Sequence, residues 1–179
     1  MKFSRRIVVP LCVLLLVQLL AAQQPVIPGL NAGRTNVAFS ATAAAAGATG
    51  VETAISLTKA AGTSANSSAV SFVITSGKTF RITSITFATR GNATATVQVT
   101  TFNLRINTGG AVTTSSTPIL MSVRSATPAT ASAWDRFHVP IPDGYEIAGN
   151  GTVQFGITAN AVFVTNAPTW DVLITGYEY

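Results

Sequence analysis

The sequence predicts an all-β fold, a two-sheet antiparallel β-sandwich of jelly-roll type with about eight strands. Three observations carry that prediction. From Val51 onward, apolar residues recur at every second position in short runs, which places them on one face of a strand. Turn-forming Gly, Asn, Pro and Ser clusters separate the runs, and no segment has a convincing helical period. The alternation also changes phase inside two neighbouring runs between Val70 and Ile106, which suits strands that bend at the corner of a sandwich.

The chain has 179 residues, and its beginning reads as an export leader. Lys2, Arg5 and Arg6 precede an apolar stretch from Ile7 to Leu20, and Leu20-Ala21-Ala22 supplies small residues for cleavage after Ala22. The stretch is shorter than the roughly 18 to 20 residues that a membrane span requires. Ser4-Arg5-Arg6 resembles a twin-arginine export signal, although the Leu/Val-rich core fits an ordinary signal peptide better. Residues 1–22 are thus expected to be a signal peptide, 23–50 an extended leader or spacer, and 51–179 the β-sandwich domain. Within 23–50, two prolines and the Ala/Thr/Gly-rich run from Ala41 to Gly50 argue for a spacer, with at most a short strand between Arg34 and Ser40.

Val51, Thr53, Ile55 and Leu57 open the domain as one strand. Val70, Phe72 and Ile74 form the next, and Ser76-Gly77-Lys78 is a hairpin turn. Phe80 and Ile82 restart the alternation, then Ile85 and Phe87 take the opposite parity, so a bulge or bend is expected between them. The same argument applied to Val97 and Val99 against Phe102, Leu104 and Ile106 predicts a second switch. Ile119, Met121 and Val123 form a strand. Phe137, Val139 and Ile141 alternate with Trp134, Arg136 and His138, and Pro140 inside that run requires a sheet edge. Pro142-Asp143-Gly144 and Gly149-Asn150-Gly151 are turn signals. Val153, Phe155 and Ile157, a short apolar piece from Val162 to Val164, and Trp170, Val172 and Ile174 complete the set. Pro142-Asp143-Gly144-Tyr145, with the Gly-rich turn before Val153, resembles the late strands of many jelly rolls, a likeness that implies a fold and no activity.

Composition excludes several functions. Three of the eleven basic residues lie in the leader, which leaves eight against six acidic ones, a net of +2 and no basic patch for nucleic acid. The single cysteine, Cys12, also lies there, so the remainder has no disulfide and no thiolate ligand. A disulfide-free exported domain fits a bacterial chain. One histidine and no cysteine leave zinc without a ligand set.

No catalytic constellation emerges. Gly77-Lys78-Thr79 matches the end of a phosphate-binding loop, but Phe72 stands where the first glycine is needed. Asp135 and His138 are three residues apart on a strand and point to opposite faces. The carboxylates Glu52, Asp135, Asp143, Glu146, Asp171 and Glu178 show no paired spacing, and Asp143 with Glu146 supplies at most part of a calcium site. Asn66-Ser67-Ser68, Asn92-Ala93-Thr94 and Asn150-Gly151-Thr152 fit the N-glycosylation pattern, which chance explains in so Ser/Thr-rich a chain.

The expected ligand-binding residues are Trp134, Arg136 and His138, which share the solvated face of one strand, whereas Trp170 alternates with Val172 and Ile174 and belongs to the core. The expectation is an exported, non-catalytic β-sandwich, secreted, periplasmic or at the cell surface, with a structural, adhesion or assembly role. No cofactor or metal is expected. The partner is a glycan or protein at the surface, or a second copy of the chain. A carbohydrate-binding module is the first alternative and a small outer-membrane β-barrel the second, the latter prompted by the aromatic ending Tyr177-Glu178-Tyr179. A hydrolase is the remaining class.

Overall fold

The structure, a computed structural model, describes residues 33–61, 68–91, 98–114, 118–127 and 133–179. The signal peptide and residues 23–32 of the expected spacer lie outside them, as do two of the three glycosylation triplets in whole or part. Among the described residues there are eleven strands and no helix. They are β1 (Thr35–Ala45), β2 (Thr53–Ile55), β3 (Leu57–Ala61), β4 (Ser68–Ala69), β5 (Phe72–Val73), β6 (Thr79–Arg90), β7 (Gln98–Asn107), β8 (Ile119–Thr127), β9 (Trp134–Ala148), β10 (Gln154–Val162) and β11 (Thr169–Glu178).

One sheet, A, has the order β4-β3-β1-β11-β6-β9; the other, B, has the order β2-β10-β7-β8, with β5 also on β10. When β3 and β4 at the end of sheet A, and β5 off the main path of sheet B, are set aside, eight strands remain, ordered first-eighth-third-sixth and second-seventh-fourth-fifth. That is the jelly-roll order of two nested Greek keys. The sheets do not close on each other, so the geometry is not the closed sheet that the outer-membrane-barrel alternative requires. Apolar side chains fill the space between them.

The core has two aromatic centres. Phe39, Phe72, Phe80 and Phe155 form the first, with ring centroids 4.4 Å apart for Phe39–Phe72 and 5.1 Å for Phe80–Phe155. Phe87, Phe102, Phe137 and Trp170 form the second, with Phe87 and Phe102 stacked at 4.7 Å and Trp170 set edge-on to Phe102 at 5.8 Å. Phe residues from both sheets meet in each, so these contacts clamp A onto B.

The phase switch in β6 is real. Opposite β11, Ile82 pairs with Gly176 and Ser84 with the adjacent Thr175, which leaves Thr83 as an extra residue. Opposite β9, Ile82 pairs with Tyr145 and Ser84 with Pro140, so Thr83 faces the whole segment 141–144. The bulge keeps Phe80, Ile82, Ile85 and Phe87 all buried despite their change of parity. Pro142-Asp143-Gly144 therefore widens a strand instead of reversing the chain. Gly144 sits there at φ +66°, a conformation that favours glycine. Pro140 lies on an edge strand, since β9 pairs only with β6 in the sheet order.

Other expectations are corrected. The second phase switch does not occur: Gln98, Thr100, Phe102 and Leu104 are all buried in one phase of β7, and Val97 lies outside the described residues. Polar side chains take inward positions where distant partners bond them, although the buried Gln98 Oε1 has no hydrogen-bond partner among the described residues. Trp170 Nε1 donates to Thr100 Oγ1 at 3.2 Å, and Gln98 Nε2 to the Asn166 carbonyl at 2.9 Å. The supposed spacer contains β1, a central strand paired on both sides, with Val37, Phe39 and Ala41 buried. Ladder hydrogen bonds and packing override the weak strand preference of alanine there. The run from Val51 to Leu57 is two strands in different sheets, and the chain crosses at Ser56. Val70 to Ile74 contains only the two-residue β5, and the turn at Gly77 joins two sheets, so it is no hairpin. Val162 and Val164 are exposed, and of that piece only Phe163 packs on the core.

Candidate functional site

The strand period of β9 sends Asp135, Phe137 and Val139 toward the core and Trp134, Arg136 and His138 outward. Pairing then sets their neighbours on the outer face of sheet A. Arg90 pairs with Trp134, Ala88 with Arg136 and Thr86 with His138. Across β6, Asp171 pairs with Ala88 and Leu173 with Thr86, and beyond them Ser40 pairs with Leu173 on β1.

Ala88, a short side chain that its longer neighbours bury, lies at the floor between them. The result is a depression of about 300 Å³, walled by Arg136, Asp171, Leu173 and the hydroxyls of Ser40, Thr42 and Thr86. Leu173 is exposed, so an apolar surface stands beside the polar ones. The Asp171 carboxylate is fixed by the Ala43 amide, which donates to Oδ1 at 2.6 Å. Ala43 itself has φ +52°, within the β1 irregularity between Ala41 and Ala44.

All three expected residues therefore lie on one face, two of them with partners that sequence reading did not supply. The Arg90 guanidinium lies 5.4 Å from the centre of the Trp134 ring and covers one side of it, while its Nε donates to Thr169 Oγ1 at 3.2 Å. His138 Nδ1 shares a hydrogen bond of 2.9 Å with Thr86 Oγ1. Arg90, Ala88 and Asp171 escaped sequence reading because only the strand register brings them beside β9.

The carboxylates are scattered among separate contacts. Asp135 accepts Ser125 Oγ at 2.6 Å on the inner side of β9, away from His138. Glu146 pairs with Arg81 Nη1 at 3.2 Å, and the Asp143 carbonyl accepts from Arg81 Nη2, so an arginine occupies the place where a cation between these residues would sit. Asn150 Oδ1 accepts the amides of Thr152 and Val153 at 2.8 and 2.9 Å and closes its turn. Among the described residues no three His, Cys, Asp or Glu side chains come together as a metal site.

A second polar cluster lies on sheet B. Glu52 receives Arg105 Nη2 on both carboxylate oxygens at 2.8 and 2.9 Å, Arg105 Nε at 3.0 Å, Asn103 Nδ2 at 2.9 Å and the Thr158 hydroxyl. Arg105, Asn103 and Thr158 are buried. Burial alone would raise the Glu52 pKa. Hydrogen bonds from Thr158, Asn103 and Arg105, with the arginine charge, outweigh it and hold the group below its usual value. The cluster is saturated, and it pins the start of β2 to β7 and β10.

The fold and face together define a jelly-roll sandwich with a shallow polar depression on one sheet. No protein-family model matches the chain, and a search of curated proteins finds no match.

Proposed function

We propose that the protein is an exported, non-catalytic adhesion module of the cell surface that holds a glycan on the outer face of sheet A. The depression above Ala88 carries this reading. It sets hydroxyls, a guanidinium and a carboxylate beside the apolar side chain of Leu173, and a sugar offers the matching combination of polar edges and apolar ring face. Export rests on the Lys2-to-Ala22 leader pattern. The separate structural contacts of Glu52, Asp135, Glu146 and Asp171 support a binding role over a hydrolytic one, which requires two carboxylates facing each other about 5 to 10 Å apart. A glycan array probed with the wild type and with Trp134→Ala and Arg136→Ala tests the proposal. Binding that weakens in both variants is expected; binding that is absent, or equal in all three, removes it.

A structural role in surface assembly is the second reading, favoured by β8. This strand ends sheet B, pairs only with β7 in the sheet order and leaves Ile119 half exposed. Such an edge is a template for pairing with another chain. A mass by light scattering that stays monomeric at all concentrations counts against it.

A further inference from the structure

Resting on the glycan reading, we infer that the ligand of sheet A is a carboxylate-bearing polysaccharide of the uronic-acid type, read by the row Arg90, Arg136 and His138. Among the described residues paired across this part of the outer face, the charged or titratable side chains are those three and Asp171. Asp171 already accepts the Ala43 amide. Neither arginine has a carboxylate in an ion pair: the salt bridges of the described residues are Arg81–Glu146 and Arg105–Glu52. Arg90 is instead laid against the Trp134 ring, which holds its guanidinium at the surface and takes one ring face away from sugar stacking. The aromatic contact thus positions a cation.

The geometry suits a linear polymer. Arg136 and His138 are two residues apart on one strand face, so their Cα atoms are about 7 Å apart, and Arg90 sits one strand over, about 5 Å from Trp134. Arg136 and the His138 imidazole follow one another along the strand with Arg90 one strand over, while Ser40, Thr42 and Thr86 line the flank. A guanidinium binds a carboxylate through two parallel hydrogen bonds, and lysine cannot reproduce that fork. Hydroxyl donors beside it match the sugar's own hydroxyls. An acidic peptide offers the charge without them.

Calorimetric titration of the full chain with polygalacturonate, with its fully methyl-esterified counterpart and with poly-glutamate tests the inference. Polygalacturonate is expected to bind at least tenfold more tightly than the other two, and to weaken as salt rises. Arg136→Gln should lower its affinity about tenfold, the loss of one charge-assisted contact. Arg124→Gln removes an equal charge from β8 on the other sheet and should leave affinity unchanged, with far-ultraviolet circular dichroism checking that both variants fold. Equal, salt-insensitive binding of the charged and esterified polymers overturns the acidic specificity and leaves the glycan reading standing. Poly-glutamate binding as tightly as polygalacturonate overturns the sugar class, and equal losses in the two variants overturn the site. If neither polysaccharide binds, this inference falls, and the glycan array alone decides the glycan reading.

Discussion

Glu52 and Arg105 show how a residue with no visible motif becomes structurally decisive. Arg105 is buried beneath a carboxylate that it grips with its fork, so removal of the acid leaves a charge inside the protein without its counter-ion. Glu52→Ala is expected to lower stability by about 2 to 3 kcal/mol, at or just below the roughly 3 to 5 kcal/mol of a fully buried broken pair, because Glu52 retains some solvent contact. Urea denaturation measures it. The sign of the pH dependence follows from the lowered pKa. The stabilisation is fully present above the unfolded-state value of 4.5 and is lost as pH falls through the lower folded-state value. The wild type should therefore lose stability on acidification below about pH 5, and Glu52→Gln should show a shallower acid limb. None of this was legible in the sequence, where Glu52 is one acidic residue at the start of an apolar run. By contrast, alternation alone separates an outward Trp134 from an inward Trp170, and the structure places them so. The Arg90 that covers Trp134 is 44 positions earlier in the chain, beyond the reach of any local pattern.

At the scale of elements, the bulge at Thr83 makes a change of parity compatible with one buried face. Deletion of Thr83 would turn Phe80 and Ile82 outward relative to Ile85 and Phe87, so the shortened chain is expected to give no folded protein; a cooperative thermal transition from it would contradict the bulge. The partner strand is equally constrained. A Cβ on Gly176 would lie 2.2 Å from the Arg81 carbonyl oxygen and 2.8 Å from the Phe80 ring, so Gly176→Ala should cost about 3 kcal/mol in denaturant unfolding. This bulge was readable because apolar residues occupy both phases of β6. The reading failed for β7 for the converse reason: Gln98 and Thr100 look solvent-facing until Asn166 and Trp170 supply their hydrogen bonds. The second half of β1 was hidden likewise, since Ala41 to Ala45 carries no strand signal of its own and is held by β11.

The whole molecule joins its two sheets through aromatic centres that each draw on both. Phe155→Ala, in the first of them, is expected to cost about 3 to 5 kcal/mol. The second holds Trp170, so near-ultraviolet and far-ultraviolet circular dichroism should report one coincident transition; separated transitions would mean that the sheets unfold independently. The sandwich class was legible from strand spacing and turn residues, whereas the order of the strands comes from the pairing alone. The number of strands was not, since β4 and β5 are two residues each and β3 follows β2 after Ser56 in one continuous run.

The placement of the binding face on sheet A is tested most directly by the two indole N–H signals in a nuclear magnetic resonance titration with polygalacturonate. Trp134 lies on the proposed face, whereas Trp170 is buried and hydrogen-bonded to Thr100. The Trp134 signal is expected to shift progressively while that of Trp170 stays in place. A shift confined to Trp170, or binding that moves neither signal, would contradict the account.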